Sequence, residues 1–275
     1  MTGALARLLR VKLSLLNGIA AVGGYLLFPS AIELHGITAA FVGVSLLAAG
    51  GSALNQVLER DLDSRMARTK LRPLPMGHMT AAQATAIGTG ITLAGLLLLF
   101  SAGGLLPALL GAAALFWYLA VYTPLKRRTS LALPIGALCG SFPPLIGWCL
   151  AGGPPTDFRI LFLAGLLFLW QVPHFWLYQQ RHQNDYNQAG IPLFFSRNRG
   201  SGQSPFFWVW IIALSAGALL LPAFGIIERP LAQWYVAFPL SLVPIALFFT
   251  DRLLFRYLNL FPLVVSIILL IQKNI

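Results

Sequence analysis

The segment from Asn55 to Pro75, NQVLERDLDSRMARTKLRPLP, concentrates groups able to hold a metal and an anion. Asn55, Glu59 and Asp63 recur at i, i+4 and i+8. On a helix such a series drifts only about 40° per step and makes one polar stripe about 12 Å long. An amide and two carboxylates are hard oxygen donors. They suit Mg²⁺, which takes one or two protein carboxylates and completes its octahedron with water and substrate phosphate. Arg65, Arg68, Lys70 and Arg72 follow at once and can complement a diphosphate. Asp61 lies roughly opposite Glu59 on such a helix. The stripe starts straight after an apolar run, Ile37 to Leu54. Polar groups beside hydrocarbon are costly and usually functional. The plainer alternative is a solvated helix end followed by topogenic charges.

Two further clusters carry chemistry. In Trp170-Gln-Val-Pro-His174-Phe-Trp-Leu-Tyr178, residues Trp170, His174 and Tyr178 share a helical face, and Pro173 kinks the helix. Gln171 is adjacent, and Arg181, His182 and Asp185 sit at the mouth. A kinked, polar, aromatic-lined helix suits a ligand cavity. The alternatives are interfacial anchoring for Trp170 and Tyr178, and a hydrogen-bonded core role for His174. The third cluster, Tyr122-Thr-Pro-Leu-Lys126-Arg127-Arg128-Thr129, is a basic loop after an apolar run. Alone it reads equally well as a stop-transfer run. His35 and His78 make no metal-site spacing with the other histidines.

The elements that must position these groups are membrane helices. Hydrophobic residues make up 57% of the 275-residue chain and charged residues 10%, against roughly 25% charged in soluble domains. Apolar runs of about twenty residues, enough to span a bilayer core, recur along the chain. They fall at roughly 11–29, 38–58, 81–102, 104–123, 131–151, 158–178, 205–226, 231–250 and 253–272. The runs are continuous rather than alternating, so helices and not a barrel are expected. The expectation is an all-α bundle of nine transmembrane helices forming one domain over residues 1–275.

The net charge of +11 does not point to nucleic acid, because of where the cations sit. With the N-terminus in the cytoplasm, only Arg159, Arg229 and Lys273 fall outside. The amino end and the even-numbered connections, including Arg197 and Arg199, hold the rest. The positive-inside rule then predicts the N-terminus in and the C-terminus out. The long connections, 2–3 and 6–7, share the inner face, and long loops tend to carry function. Cys139 and Cys149 are ten residues apart in one run, too far along a straight helix to bond. The first run reads as an uncleaved helix, and no Arg- and Ser-rich leader precedes it. A bacterial inner membrane is expected, with the charged clusters facing the cytoplasm.

The segment Asn55 to Pro75 resembles the first signature of the UbiA-type intramembrane prenyltransferases, Asn-x-x-x-Asp/Glu-x-x-x-Asp. The fuller pattern Asn55-Gln56 … Glu59-Arg60-Asp61 … Asp63 … Arg68-Thr69 … Arg72-Pro73-Leu74-Pro75 is similar to the haem-farnesylating branch of that family. So are Tyr122-Thr123 … Leu125-Lys126-Arg127 … Thr129, Pro143-Pro144-Leu145-Ile146-Gly147-Trp148, and Trp170-Gln171 … Pro173-His174-Phe175-Trp176 … Asp185-Tyr186 … Ala189-Gly190-Ile191-Pro192. Motifs cover about residues 45–195, and the rest matches by hydropathy. Ala132 stands where many relatives carry Asn. The second acidic motif is reduced to Asp185 with Asn184 beside it.

The resemblance implies Mg²⁺ held by Asn55, Glu59 and Asp63, with Asp185 as a further ligand, and farnesyl diphosphate and haem B as substrates. Arg68, Lys70, Arg72, Lys126 and Arg127 would stabilise the departing diphosphate. His174, His182, Trp170 and Tyr122 are the implied contacts to haem. Phe116, Trp117, Tyr122, Trp148, Trp170, Phe175 and Trp176 are candidate walls for an allylic cation. A haem A synthase or a terminal oxidase would receive the product. Two other readings share these residues: prenylation of a quinone precursor such as 4-hydroxybenzoate, and transport of an anionic lipid-like molecule.

Overall fold

The computed structural model describes residues 2–194, 203–229 and 231–274. Arg197, Arg199 and Pro230 lie outside the described residues. Every described element is helical. A short α1 (Thr2–Leu8) precedes α2 (Val11–Leu27). Then come α3 (Leu34–Leu58), a single turn α4 (Arg60–Arg65) and α5 (Ala81–Gly103). The helical hairpins continue with α6 (Leu105–Leu125), α7 (Ala132–Leu150) and α8 (Phe158–Arg181). After α9 (Gln183–Gln188) follow α10 (Pro205–Ala223), α11 (Leu231–Phe248) and α12 (Asp251–Asn274).

Among the described residues eight helices are long and apolar enough to cross a membrane, so the chain is a multi-pass membrane protein. The first expected span, α2, is apolar but only 17 residues long. Each boundary has a local cause. Thr80 and Gln83 form a reciprocal capping box at the start of α5. Gly104, at φ 73°, ends α5 and starts α6. Asp157 caps α8 through the Arg159 amide at 2.9 Å. Both cysteines are free.

Lipid does not drive apolar helices together, so close packing must. α2 and α7 touch through glycines. A Cβ on Gly24 would strike the Pro144 carbonyl, and one on Gly147 would strike the Ala21 carbonyl. One cluster joins Tyr25, Val44, Leu47, Leu99 and Ile146. A larger one packs α7, α8, α10, α11 and α12 around Trp148, Trp176, Phe207, Tyr235 and Phe261. α12 returns to α2, where Lys273 Nζ donates to the Phe28 carbonyl at 2.6 Å.

Candidate active site

α3, α6 and α8 all end at the same face, and the charged clusters ride on those ends. Asn55 comes from α3, Glu59 from the junction between α3 and α4, Asp63 from α4, Thr123 and Lys126 from the end of α6, and Asp185 from α9. The stripe expected on one straight helix bends at Glu59, whose φ of −108° and ψ of 13° leave the α-helical region. Its register survives, because the Glu59 amide still donates to Asn55 O and the Asp63 amide to Glu59 O. Asn55, Glu59 and Asp63 are 4%, 2% and 1% exposed.

Groups so buried must be satisfied. Lys126 Nζ lies 2.7 Å from each Glu59 carboxylate oxygen and donates to Oε2, while Oε1 accepts no hydrogen bond. Arg72 Nη1 donates to both Asp63 oxygens, at 2.9 and 2.7 Å. Asn55 Nδ2 donates to Thr123 Oγ1 at 3.0 Å, which turns the amide oxygen away from Thr123. Thr123 in turn donates to the Tyr118 carbonyl at 2.8 Å. That carbonyl belongs to a π-helical turn, Trp117–Tyr122. Such turns often sit at functional sites.

Asp185 ties two segments together at this face of the bundle. Its two oxygens accept from the amides of Ala67 and Arg68 at 3.1 and 3.2 Å. Beneath them Leu62, Met66, Ala189 and Ile191 pack around Tyr186. Burial pushes the Tyr186 phenol up to about 12. The Arg68 guanidinium lies over the Tyr178 ring, 5.4 Å from its centroid, with Nε buried and unpartnered. Tyr178 also meets the His182 ring at 4.7 Å. Burial and then the Arg68 charge hold His182 below its usual pKa. A polar cavity of about 250 Å³ opens alongside, lined by residues 180–185.

Not every expected site residue joins this cluster. Arg127 grips Asp61 at 2.9 Å with both ends and donates to Leu58 O at 2.8 Å, on the exposed rim. Its hydrogen bonds hold the Asp61 carboxyl below the usual carboxylate range. Lys70 is exposed and takes no part in these pairs. Tyr122 lies over Gly136, where a Cβ would strike its ring, and its centroid is 5.9 Å from Lys126 Nζ. His174 is stacked between Trp170 at 5.0 Å and Phe255 at 4.9 Å. Its Nδ1 is buried without a hydrogen-bond partner. Trp170 is fixed by donation to Leu258 O at 2.6 Å.

Three of the expected aromatic walls, Trp148, Trp176 and Phe116, lie elsewhere. Trp148 and Trp176 are core residues, buried away from the carboxylates. Trp148 donates to Pro154 O at 2.8 Å, and Trp176 packs on Phe194 and Phe207. Phe116 is 64% exposed on the outer wall of the bundle. Tyr122, Trp170 and His174 remain near the polar groups.

Two participants went unrecognised in the sequence. Thr123 stands in the sequence only as a member of the basic Tyr122–Thr129 cluster and of the motif that cluster matches, with no role of its own, yet it orients Asn55. Arg10 is, by sequence, one of the amino-end cations that the positive-inside rule places on the inner face. It is the one described non-glycine residue with positive φ, at 46°. Gln56, next to Asn55, anchors the turn before it by donating to Leu8 O at 2.6 Å. The Arg10 charge weakly opposes the rise that burial gives the Tyr186 phenol.

The donor set fits Mg²⁺ in type: one amide oxygen and two carboxylates, all hard. Among the described residues no three of His, Cys, Asp and Glu gather into a metal-holding group. An ion here would need substrate oxygens as well.

The UbiA prenyltransferase family profile matches residues 17–259. A protoheme IX farnesyltransferase of Geobacter sulfurreducens is 56% identical over 265 residues, covering 96% of this chain and 97% of that protein. One from Nitratidesulfovibrio vulgaris is 36% identical over 253 residues, covering 91% and 86%. A UbiA homologue from Aeropyrum pernix K1 superposes with a TM-score of 0.72 at 18% identity, over 95% of this chain and 98% of that one. A UbiA homologue from Archaeoglobus fulgidus, bound to GPP and Mg²⁺, gives 0.66 at 16% identity, over 99% and 100%.

Proposed function

The chain belongs to the UbiA prenyltransferase family, and from that premise we propose that it farnesylates haem. It transfers the farnesyl group of farnesyl diphosphate to a vinyl group of haem B, adds water, and releases haem O and diphosphate. The observation that carries this reading is the buried trio Asn55, Glu59 and Asp63 with Thr123, Lys126 and Arg72 against it.

Asn55, Glu59 and Asp63 hold Mg²⁺, with Asp185 positioning the loop that carries Arg68. The ion supplies Lewis-acid stabilisation of charge on the diphosphate oxygens. Arg68, Arg72 and Lys126 bind the diphosphate and take up the charge it gains as the allylic C–O bond breaks. Lys70 adds long-range attraction from the rim. Arg127 acts through Asp61, fixing the bend that aims Glu59. Tyr122 and its stacked neighbour Tyr118 face the allylic cation with their π clouds. The haem vinyl carbon attacks that cation. Water adds to the new cation beside the macrocycle, and a proton leaves to give the hydroxyethylfarnesyl group. Trp170, His174 and His182 orient the haem.

The chain acts as one domain that crosses a bacterial inner membrane nine times, with α2 as the first span. The N-terminus and the active site face the cytoplasm and the C-terminus lies outside. A haem A synthase or a terminal oxidase takes the product. The test is to incubate the purified protein in liposomes with haem B, farnesyl diphosphate and Mg²⁺ and to look for haem O by mass. A farnesyl-plus-water adduct that disappears with chelator is expected. Turnover on 4-hydroxybenzoate instead would keep the carboxylate site and overturn the haem assignment.

A further inference from the structure

Both buried carboxylates are paired with a cation, although Glu59 Oε1 accepts no hydrogen bond. Lys126 Nζ is 2.7 Å from each oxygen of Glu59, and Arg72 Nη1 bridges the two oxygens of Asp63. Mg²⁺ must come within about 2.0–2.1 Å of an oxygen. The ammonium and guanidinium cover those approaches and repel a second cation. A free diphosphate meets the complementary obstacle, because its two best cations are already committed to carboxylates. All four groups are shielded: the side chains of Lys126 and Arg72 are only 16% and 15% exposed.

We propose that the site takes up divalent metal and diphosphate only as a unit, through an exchange of partners. The diphosphate draws Lys126 off Glu59 and Arg72 off Asp63. The freed carboxylates, with the Asn55 amide oxygen, then close on the ion that the diphosphate carries. The net charge of the pocket changes little in the exchange, which keeps the desolvation cost low in so buried a place. Arg and Lys are well matched to phosphate oxygens, so their new bonds replace the old ones. Each ligand therefore raises the affinity of the other by the same factor, as linkage requires. Such couplings run at about 5- to 150-fold. This inference rests on the reading of the cluster as a metal–diphosphate site.

The experiment is equilibrium binding to the full chain in detergent micelles. The probes are Mn²⁺, followed by its spin-resonance signal, and inorganic pyrophosphate, followed by calorimetry. Free-ion concentrations are corrected for Mn²⁺–pyrophosphate complexes in solution. In the wild type, Mn²⁺ alone should bind weakly, and saturating pyrophosphate should raise its affinity by roughly 10-fold or more. In K126M/R72M the carboxylates are uncovered. Mn²⁺ alone should then bind more tightly than to the wild type, and the coupling should collapse toward one. Should that variant fail to fold, K126Q and R72Q decide the matter singly: each uncovers one carboxylate, Mn²⁺ alone should bind more tightly to either than to the wild type, and unchanged binding would overturn the exchange. Tight Mn²⁺ binding to the wild type without pyrophosphate, and no coupling, would overturn the exchange while leaving the site assignment intact. No uptake of Mn²⁺ even with pyrophosphate would overturn both.

Discussion

Lys126 and Glu59 stand 67 positions apart in the chain and meet at 2.7 Å across the end of the bundle. Removing one partner of a buried pair leaves the other charge uncompensated, which costs about 3–5 kcal/mol. K126M should therefore lose about that much stability in chemical unfolding followed in micelles. E59Q/K126M should recover most of it, because no charge is left unpaired. Neither variant should make product. A K126M protein as stable as the wild type would mean that the pair carries no buried charge.

Asp185 accepts from two backbone amides rather than from a side chain. Hydrogen bonds to a charged group contribute about 1.5–3 kcal/mol. D185N keeps the shape and removes the charge. Its expected signature is faster amide exchange over residues 66–72 and a KM for farnesyl diphosphate raised about 10-fold or more, with the KM for haem unmoved. Unchanged exchange in that segment would show that Asp185 does not order the loop.

Arg10 holds a left-handed conformation that costs a non-glycine residue roughly 1–2 kcal/mol. R10G removes the strain and the charge together. Thermal stability should rise while turnover falls, a separation that a purely structural residue would not produce. Falling stability would mean that the Arg10 side chain supports the fold.

His174 lies between two aromatic rings with a buried, unpartnered nitrogen. H174F keeps the stack and removes the unsatisfied atom, so stability should hold or rise. The KM for haem should increase about 10-fold or more, corresponding to about 1.4 kcal/mol, and the KM for farnesyl diphosphate should not. Equal changes in both would remove His174 from haem binding.

Two groups outside the spans make stability pH-dependent in separate windows. Asp61 has a depressed folded pKa, so its contribution is present above about 3.9 and is lost as pH falls through the lower folded value. His182, faced by Arg68, Arg181 and Asp185, is also depressed. The folded state resists its protonation, so there is no penalty above about 6.5 and a growing one as pH falls below it. Both effects are small because both groups are partly solvated. Unfolding scans from pH 7.5 to 5.5 should show a modest decline that H182Q flattens. Scans below pH 4.5 should show a second decline that D61N flattens.

The span boundaries were legible because apolar runs and their breakers are local. α5 ends at Gly103, α8 starts at Phe158, and α10 starts at Pro205, each within a residue or so of the apolar runs. The Asn55–Glu59–Asp63 series was legible because its helical register persists through the bend. Which face of a membrane helix looks inward was not legible. Core and lipid are equally apolar, so nothing in the sequence separates the buried Trp148 and Trp176 from the outward Phe116. The partners of the carboxylates were equally hidden. Five candidate cations stood in the sequence, and only the fold assigns Lys126 and Arg72 to the interior and Arg127 and Lys70 to the rim.

The clasp between Asp185 and the amides of Ala67 and Arg68 joins positions 118 and 117 residues apart. A ribosome adding about 5–20 residues each second needs on the order of ten seconds to make that stretch. Glu59 and Asp63 are thus synthesised and delivered to the bilayer edge well before the helices that will enclose them. During that interval the early hairpin stands with its acidic end in water, and the pocket closes only when α8 and α9 have left the exit tunnel. The order of translation therefore makes the site a late event in the biogenesis of this chain, even though its Asn55–Glu59–Asp63 series is encoded in the first quarter.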